Sequence, residues 1–268
     1  MKAAELKLPM TYTRAAGIAV GWSTQLLFGI TVWYLYWFLQ DSKQATRNVS
    51  LLWDAFLALQ FAIPHSILLL PAVKKRLTKF IHPAFYGLMF CAVTCFSLLL
   101  LIDCWQTHRY ELWHFQGIGG ILMRICFIAS WFALYYSINL TGLGYQTGFT
   151  PWSYWLRGQP VPPRPFQPQG AYHMLRHPVY LSFLGLIWFT PRMTLDHALL
   201  TATWTAYIFT GSWLKDRRLT YYLGRSYQDY AAKVPAYVSV PFRGLFAKHI
   251  KAWQQVGSTT FEKSQLES

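Results

Sequence analysis

Read along the chain, apolar residues fall into six runs separated by polar stretches: 15–39, 51–73, 80–102, 118–138, 179–191 and 195–214. A helix needs about 20 residues to cross a bilayer, and the first four runs and the sixth meet that length. The fifth, between Pro178 and Pro191, has only about 13, shorter than a span requires. Two readings of it stay open: a re-entrant or tilted half of a helical hairpin with the sixth run, or a span completed by residues 171–178. The first run is too long for the core of a signal peptide, and no small-residue cleavage site follows it. It predicts a first transmembrane helix.

Composition agrees with this pattern. Of 268 residues, 54% are hydrophobic and 18% aromatic, and only 13% are charged, where soluble domains carry about a quarter. The expected fold is an all-α polytopic membrane protein with about six transmembrane helices. The fifth and sixth form a hairpin, and a cytoplasmic amphipathic segment follows. The layout is a four-helix membrane part (1–138), a cytoplasmic proline-rich loop (139–178), a helical hairpin with its tail (179–240), and a flexible basic and polar tail (241–268).

Charge adds orientation. The net charge of +14 could suit nucleic acid, but the basic residues flank apolar runs and no nucleic-acid-binding signature is present. The partner they predict is an anionic lipid surface or an anionic ligand. With six spans, 19 Lys and Arg fall on the side of the N-terminus, the second and fourth loops and the tail, against 4 on the other side. Cytoplasmic loops carry that excess, so both termini are expected in the cytoplasm. The stretch RGQPVPPRPFQPQG (157–170) cannot be helical, because interior prolines remove backbone donors and clash with the preceding turn; it reads as an extended strap. The tail from 215 to 240 mixes cations with Tyr221, Tyr222, Tyr227, Tyr230 and Tyr237, which suits an interfacial helix. Cys91, Cys95, Cys104 and Cys126 lack metal-ligand spacing and read as small core residues.

Three places could carry chemistry. In Arg176-His177-Pro178-Val179-Tyr180, Pro178 suits the first position of a helix and His177 falls near its cap. The free N–H groups of that turn and the Arg176 fork together suit a carboxylate or phosphate. The alternative is that both residues anchor a helix end to headgroups. At the end of the sixth run, Asp216 stands among Lys215, Arg217 and Arg218. Those cations also suit a helix C-terminus, and Asp216 could simply pair with a neighbouring arginine. In the second run, Asp54 and His65 are ionisable groups in apolar sequence, expected to face the bundle interior.

The segment GAYHMLRHPVYLSFLGLIWFTPRMTLDH, followed by RRLTYYLGRSYQDYAAKVP, resembles the isoprenylcysteine carboxyl methyltransferase and phospholipid methyltransferase superfamily. Within it, the chain is most similar to bacterial methanethiol S-methyltransferases and NnrU-like proteins. The resemblance covers about residues 15 to 240 and rests on the RHPxY motif with the downstream GxxYxxYxxxVP. It implies an integral membrane methyltransferase of a bacterial inner membrane with S-adenosylmethionine as cofactor. Tyr172, Arg176, His177, Pro178, Tyr180, Asp216 and Tyr227 would line the cofactor pocket. The implied reaction is direct displacement: a small thiol attacks the cofactor's methyl group, with His177, Asp216 or His65 as candidate bases. An isoprenylcysteine or lipid acceptor is the alternative and would need a lateral gap between helices. The chain departs from the family's pattern twice: Ser182 stands at a usual glycine, and Lys215-Asp216 replaces paired glutamates. A non-catalytic NnrU-like protein is therefore a further alternative. Membrane reductases that bind a nicotinamide nucleotide share part of the motif, but Val179 and Phe183 do not match theirs.

Overall fold

The structure is a computed structural model that describes residues 12–40, 50–163 and 166–237; the expected tail 241–268 lies outside them. The chain forms an all-α polytopic membrane protein with one small strand pair. Helix α1 is Tyr12–Gln40, α2 Leu51–Leu68, α3 Pro71–Leu77, α4 Pro83–Cys104, α5 Gly117–Leu140, α6 Leu143–Gln146, α7 Phe149–Leu156, α8 Pro178–Trp188, α9 Leu195–Leu223 and α10 Arg225–Lys233. The strands are β1, Glu111–His114, and β2, Arg192–Thr194.

Helices α1, α2, α4 and α5 are long and apolar enough to cross a membrane. Each leaves most of its apolar surface uncovered. Trp22, Leu26, Trp33, Phe56, Ile121 and Phe132 all point outward, an arrangement that suits lipid rather than water. The interior is assembled from several helices: Leu39 of α1, Leu57 of α2, Leu101 of α4, Phe127 of α5, Leu186 of α8 and Leu200 of α9 form one buried cluster.

Two boundaries differ from the hydrophobic pattern. The second run does not reach residue 73 as one helix. Pro71 cannot accept a continuing helix, so Leu70 is extended (φ −68°, ψ 131°) and Pro71 starts α3, which carries Lys74, Lys75 and Arg76. The sixth run does not end at 214. Cations do not break a helix, and α9 continues to Leu223, where Gly224 (φ 55°) stops it. Lys215 and Asp216 therefore lie inside a helix of 29 residues, about 44 Å long. Helix α8 has only 11 residues, about 17 Å, too short to span. Between α5 and the proline strap, the glycine-rich stretch forms α6 and α7, which the apolar pattern did not predict.

At one end of the bundle, β1 pairs antiparallel with β2. The Arg192 Nε donates to Glu111 Oε1 at 2.6 Å, and Phe115 N donates to Pro191 O at 2.8 Å. This ties the turn between α8 and α9 to the loop after α4. Two buried carboxylates fix the same loop. Asp54 Oδ1 accepts from Gln106 N at 3.1 Å, and Asp196 accepts from Trp105 Nε1 at 2.9 Å and His108 N at 2.8 Å. Asp54 does face the interior, and its bond there is structural.

At the other end, α7 locks α1 to α4. The Trp152 Nε1 donates to Gly17 O at 2.8 Å, and Gly17 and Gly21 leave room for Trp155 and Trp152. Gly148, in the left-handed region (φ 78°), brings its backbone against Gly87 of α4; a Cβ on Gly87 would lie 2.6 Å from Gly148 Cα.

Candidate functional site

The site assembles where α8 begins. His177 is its cap residue and Pro178 its first residue, as the motif predicted. The chain beyond α10 folds back onto this cap: Arg176 N donates to Pro235 O at 2.9 Å and His177 N to Ala236 O at 3.1 Å. The Val-Pro-Ala-Tyr segment thus forms a lid over the Arg-His pair, with its backbone carbonyls taking two N–H groups ahead of the helix.

Asp216 of α9 is the hub. Arg176 Nη1 lies 2.8 Å from its Oδ2, with side chains 14% and 21% exposed. His177 Nε2 lies 3.1 Å from its Oδ1, and the His177 side chain is 1% exposed. The Tyr227 hydroxyl of α10 donates to the same Oδ1. Burial pushes the Asp216 carboxyl up, but the His177 bond and charge, the Tyr227 hydroxyl and the Arg176 charge outweigh it and hold it below the usual carboxylate range. Burial pushes His177 below its usual 6.5, against the opposing pull of Asp216. A neutral imidazole with Nε2 toward a carboxylate carries its proton there, leaving the lone pair on Nδ1.

Aromatic rings wall the hub. His177 lies between Tyr180 and Tyr237, with ring centroids 5.4 and 5.5 Å away. Phe166 of the proline strap sits edge-on to Tyr227 and Tyr230, and the Tyr230 hydroxyl donates to Tyr172 O at 2.6 Å. Lys215 Nζ lies over the Tyr180 ring at 5.3 Å and the Tyr172 ring at 5.9 Å. Buried polar atoms here, Arg176 Nε and His177 Nδ1 among them, have no hydrogen-bond partner among the described residues. Such groups are rare in proteins and suit a ligand.

The structure therefore brings together Tyr172, Arg176, His177, Pro178, Tyr180, Asp216 and Tyr227. His65 is not in this cluster. Its Nδ1 lies 3.2 Å from Thr94 Oγ1, and its ring packs against Phe61, Phe90 and Tyr207. Sequence reasoning missed Phe166 and Tyr237 as walls; it marked Lys215 as a departure from the family's pattern, without placing it over the aromatic pair. The tyrosine spacing of the tail was the available signal, but nothing local showed that the tail would turn back.

Comparison with known proteins decides the family. Over 182 residues, the chain is 30% identical to methanethiol S-methyltransferase 2 of Bradyrhizobium diazoefficiens, covering 66% of this chain and 69% of that one. The chain belongs to the methanethiol S-methyltransferase family. A methanethiol S-methyltransferase of a Pseudomonas species is 28% identical over 244 residues, 82% of this chain and 89% of its own length. Mouse Nurim is a more distant relative, 24% identical over 181 residues, covering 64% and 69% of the two chains. No family model matches the chain, and neither does any solved structure.

The methanethiol S-methyltransferase family implies a methyl donor, and the geometry can be tested against one. An amino-acid carboxylate fits the orphaned Arg176 Nε. A sulfonium fits the faces of Tyr172 and Tyr180, where Lys215 now lies. Ser182 does not obstruct the site. It is buried and its hydroxyl donates to Pro178 O at 2.9 Å, within its own helix. The glycine that permits close approach is Gly185, where a Cβ would collide with Ser130 of α5.

Proposed function

We propose that this protein is an S-adenosylmethionine-dependent membrane methyltransferase whose acceptor is a small thiol, of the methanethiol-to-dimethyl-sulfide type. What carries the reading is one cluster holding both an orphaned guanidinium nitrogen and a cation-binding aromatic pair, matched to the carboxylate and the sulfonium of that donor. The relatives' names supply the thiol. When bound, the donor supplies an activated methyl group on a positively charged sulfur.

The chain's own residues do the rest. Arg176, steadied by Asp216, holds the donor's carboxylate through its Nε. Tyr172 and Tyr180 orient the sulfonium by their ring faces. Asp216, saturated by three donors, orients rather than accepts a proton. His177 has the free lone pair, on Nδ1, and among His177, Asp216 and His65 it is the group suited to take the thiol's proton. Tyr237, Phe166 and the returning tail exclude water, so alignment and desolvation contribute most of the rate, up to about 7–11 kcal/mol in well-aligned systems. The acceptor enters from the membrane. An open apolar groove of about 510 Å³ between α5 and α8, lined by Cys126, Leu181, Gly185 and Trp188 among others, favours a lipid-like acceptor as a second reading.

In this reading, six segments enter the bilayer, α8 as a half-length one. The site faces the cytoplasm, as do both termini, and the membrane is the bacterial inner one. The basic residues of α3 and the end of α9 support this: Arg218 Nη1 donates to Leu69 O at 3.3 Å, at the same end as the site.

Calorimetric titration of the detergent-purified protein with S-adenosylhomocysteine tests the donor. Binding that is weakened at least tenfold in Arg176→Ala is expected; no binding at millimolar ligand would overturn the proposal. Headspace detection of dimethyl sulfide from added methanethiol then tests the acceptor, with farnesylcysteine as the competing substrate.

A further inference from the structure

We propose that Lys215 is a proton-exchanging residue of the donor seat: its ammonium rests on the faces of Tyr172 and Tyr180 in the free protein, and a sulfonium ligand takes those faces as Lys215 gives up its proton. The inference rests on the donor reading above and deepens it.

The geometry is that of an occupied seat. Lys215 Nζ lies 5.3 and 5.9 Å from the two ring centroids, within the ~6 Å reach of a cation–π contact. No carboxylate among the described residues forms an ion pair with it. Asp216 is adjacent in sequence, but neighbouring helix positions do not face each other, and its oxygens are turned to Arg176, His177 and Tyr227. The two ring faces are therefore the close compensation that Lys215 has. A second cation on the same rings would meet an unscreened like charge.

The neighbours leave Lys215 as the group that responds to pH. Asp216 and Arg218 of α9, Arg176 and His177 before α8, Tyr180 of α8 and Tyr172 surround it. Burial strips Lys215 of water and lowers it to about 8; Asp216 opposes that and Arg218 adds to it. His177 is pushed below 6.5, Asp216 is held ionised, and burial pushes Tyr172 up to about 12. Between pH 7 and 9, the charge that changes in this seat is that of Lys215.

S-adenosylmethionine and S-adenosylhomocysteine share every group except the methyl and its positive charge, so their affinity ratio isolates the seat. Titration calorimetry of the full chain in detergent, in phosphate and in Tris, reads both affinity and protons released. Below about pH 8, the sulfonium ligand should tighten by roughly tenfold per pH unit and release close to one proton, then level off. The neutral thioether should do neither. In Lys215→Met, the sulfonium ligand should bind about tenfold tighter at pH 7 than in the wild type, with no pH slope. In Lys215→Arg, the sulfonium ligand should bind weakly at every pH, with no pH slope in its affinity ratio to the thioether. A wild-type affinity ratio that is the same at pH 6.5 and 8.5, or a slope that survives in Lys215→Met, overturns the proposal. Failure of both ligands to bind the wild type is a different result: it overturns the donor reading itself, and this inference with it.

Discussion

Replacing Asp216 by asparagine should cost this protein a large share of its stability, because one carboxylate compensates three groups. Its Oδ2 lies 2.8 Å from Arg176 Nη1, and its Oδ1 faces His177 Nε2 and the Tyr227 hydroxyl. An amide of the same size keeps one acceptor and points an NH₂ at donors. The Arg176 charge is then left without its partner, in a side chain only 14% exposed. Removing one member of a fully buried pair costs about 3–5 kcal/mol; residual exposure here brings that to about 2–4 kcal/mol. At about 2–4 °C per kcal/mol for a chain of this size, the melting temperature should fall by about 4–16 °C. Thermal unfolding in detergent, followed by tryptophan fluorescence, measures it. A double-mutant cycle with Arg176→Met makes the test sharper. If Asp216 is the hub, the double variant should be less destabilised than the two single losses added together. Strict additivity would mean that the two residues act independently and that the hub is wrongly assigned.

Other perturbations have equally definite outcomes. Tyr227→Phe removes a hydroxyl bonded to a carboxylate and should lower stability by about 1.5–3 kcal/mol, with faster proteolysis of the chain beyond Gly224 as the readout of a loosened α10. Gly148→Ala places a Cβ on a residue at φ 78°, against the backbone of Gly87 and Leu88, and should cost about 2–4 kcal/mol or abolish folded yield; Gly29→Ala, which meets nothing within 4 Å, is the matched control and should be neutral or slightly stabilising. His177 is pushed below 6.5 by burial, so the unfolded chain takes up a proton at a higher pH than the folded one. Its contribution to stability is therefore complete above about pH 6.5 and is lost as pH falls from there toward its lower folded value. His177→Gln should flatten the melting temperature between pH 7 and 5 relative to the wild type; identical slopes in the two proteins would refute this account.

Much of the bundle was legible because lipid exposure enforces long apolar runs. Residues 15–39, 80–102 and 118–138 each became one helix with boundaries shifted by only a few residues. The end of the second run was not legible as apolarity, since Leu68, Leu69 and Leu70 are all apolar; the break lies in Pro71. The sixth run misled in the opposite way. Cations after residue 214 end an apolar pattern without ending a helix, and Gly224 is the true stop. At the site, the local signals held: His177 and Pro178 occupy the cap and first turn as their types dictate. What sequence could not show was the return of Pro235 and Ala236 to the Arg176-His177 backbone. That contact spans some sixty residues and is made by carbonyls, which every sequence has.

The Lys215-Asp216 pair acquires its meaning from helical phase. Consecutive residues on a helix point about 100° apart, so one step in sequence separates two environments. Asp216 turns to Arg176, His177 and Tyr227, while Lys215 turns to Tyr172 and Tyr180. The carboxylate organises the cation cluster, and Lys215 faces the aromatic seat. A glutamate at 215 would set a negative charge beside two π faces, which repel it, and would find relief only when a cation arrived. A lysine there is satisfied by those faces until a cation arrives. In the reading proposed above, lysine rather than glutamate at 215 leaves the scaffold of the site intact and lets the seat accept a positively charged ligand only with loss of a proton.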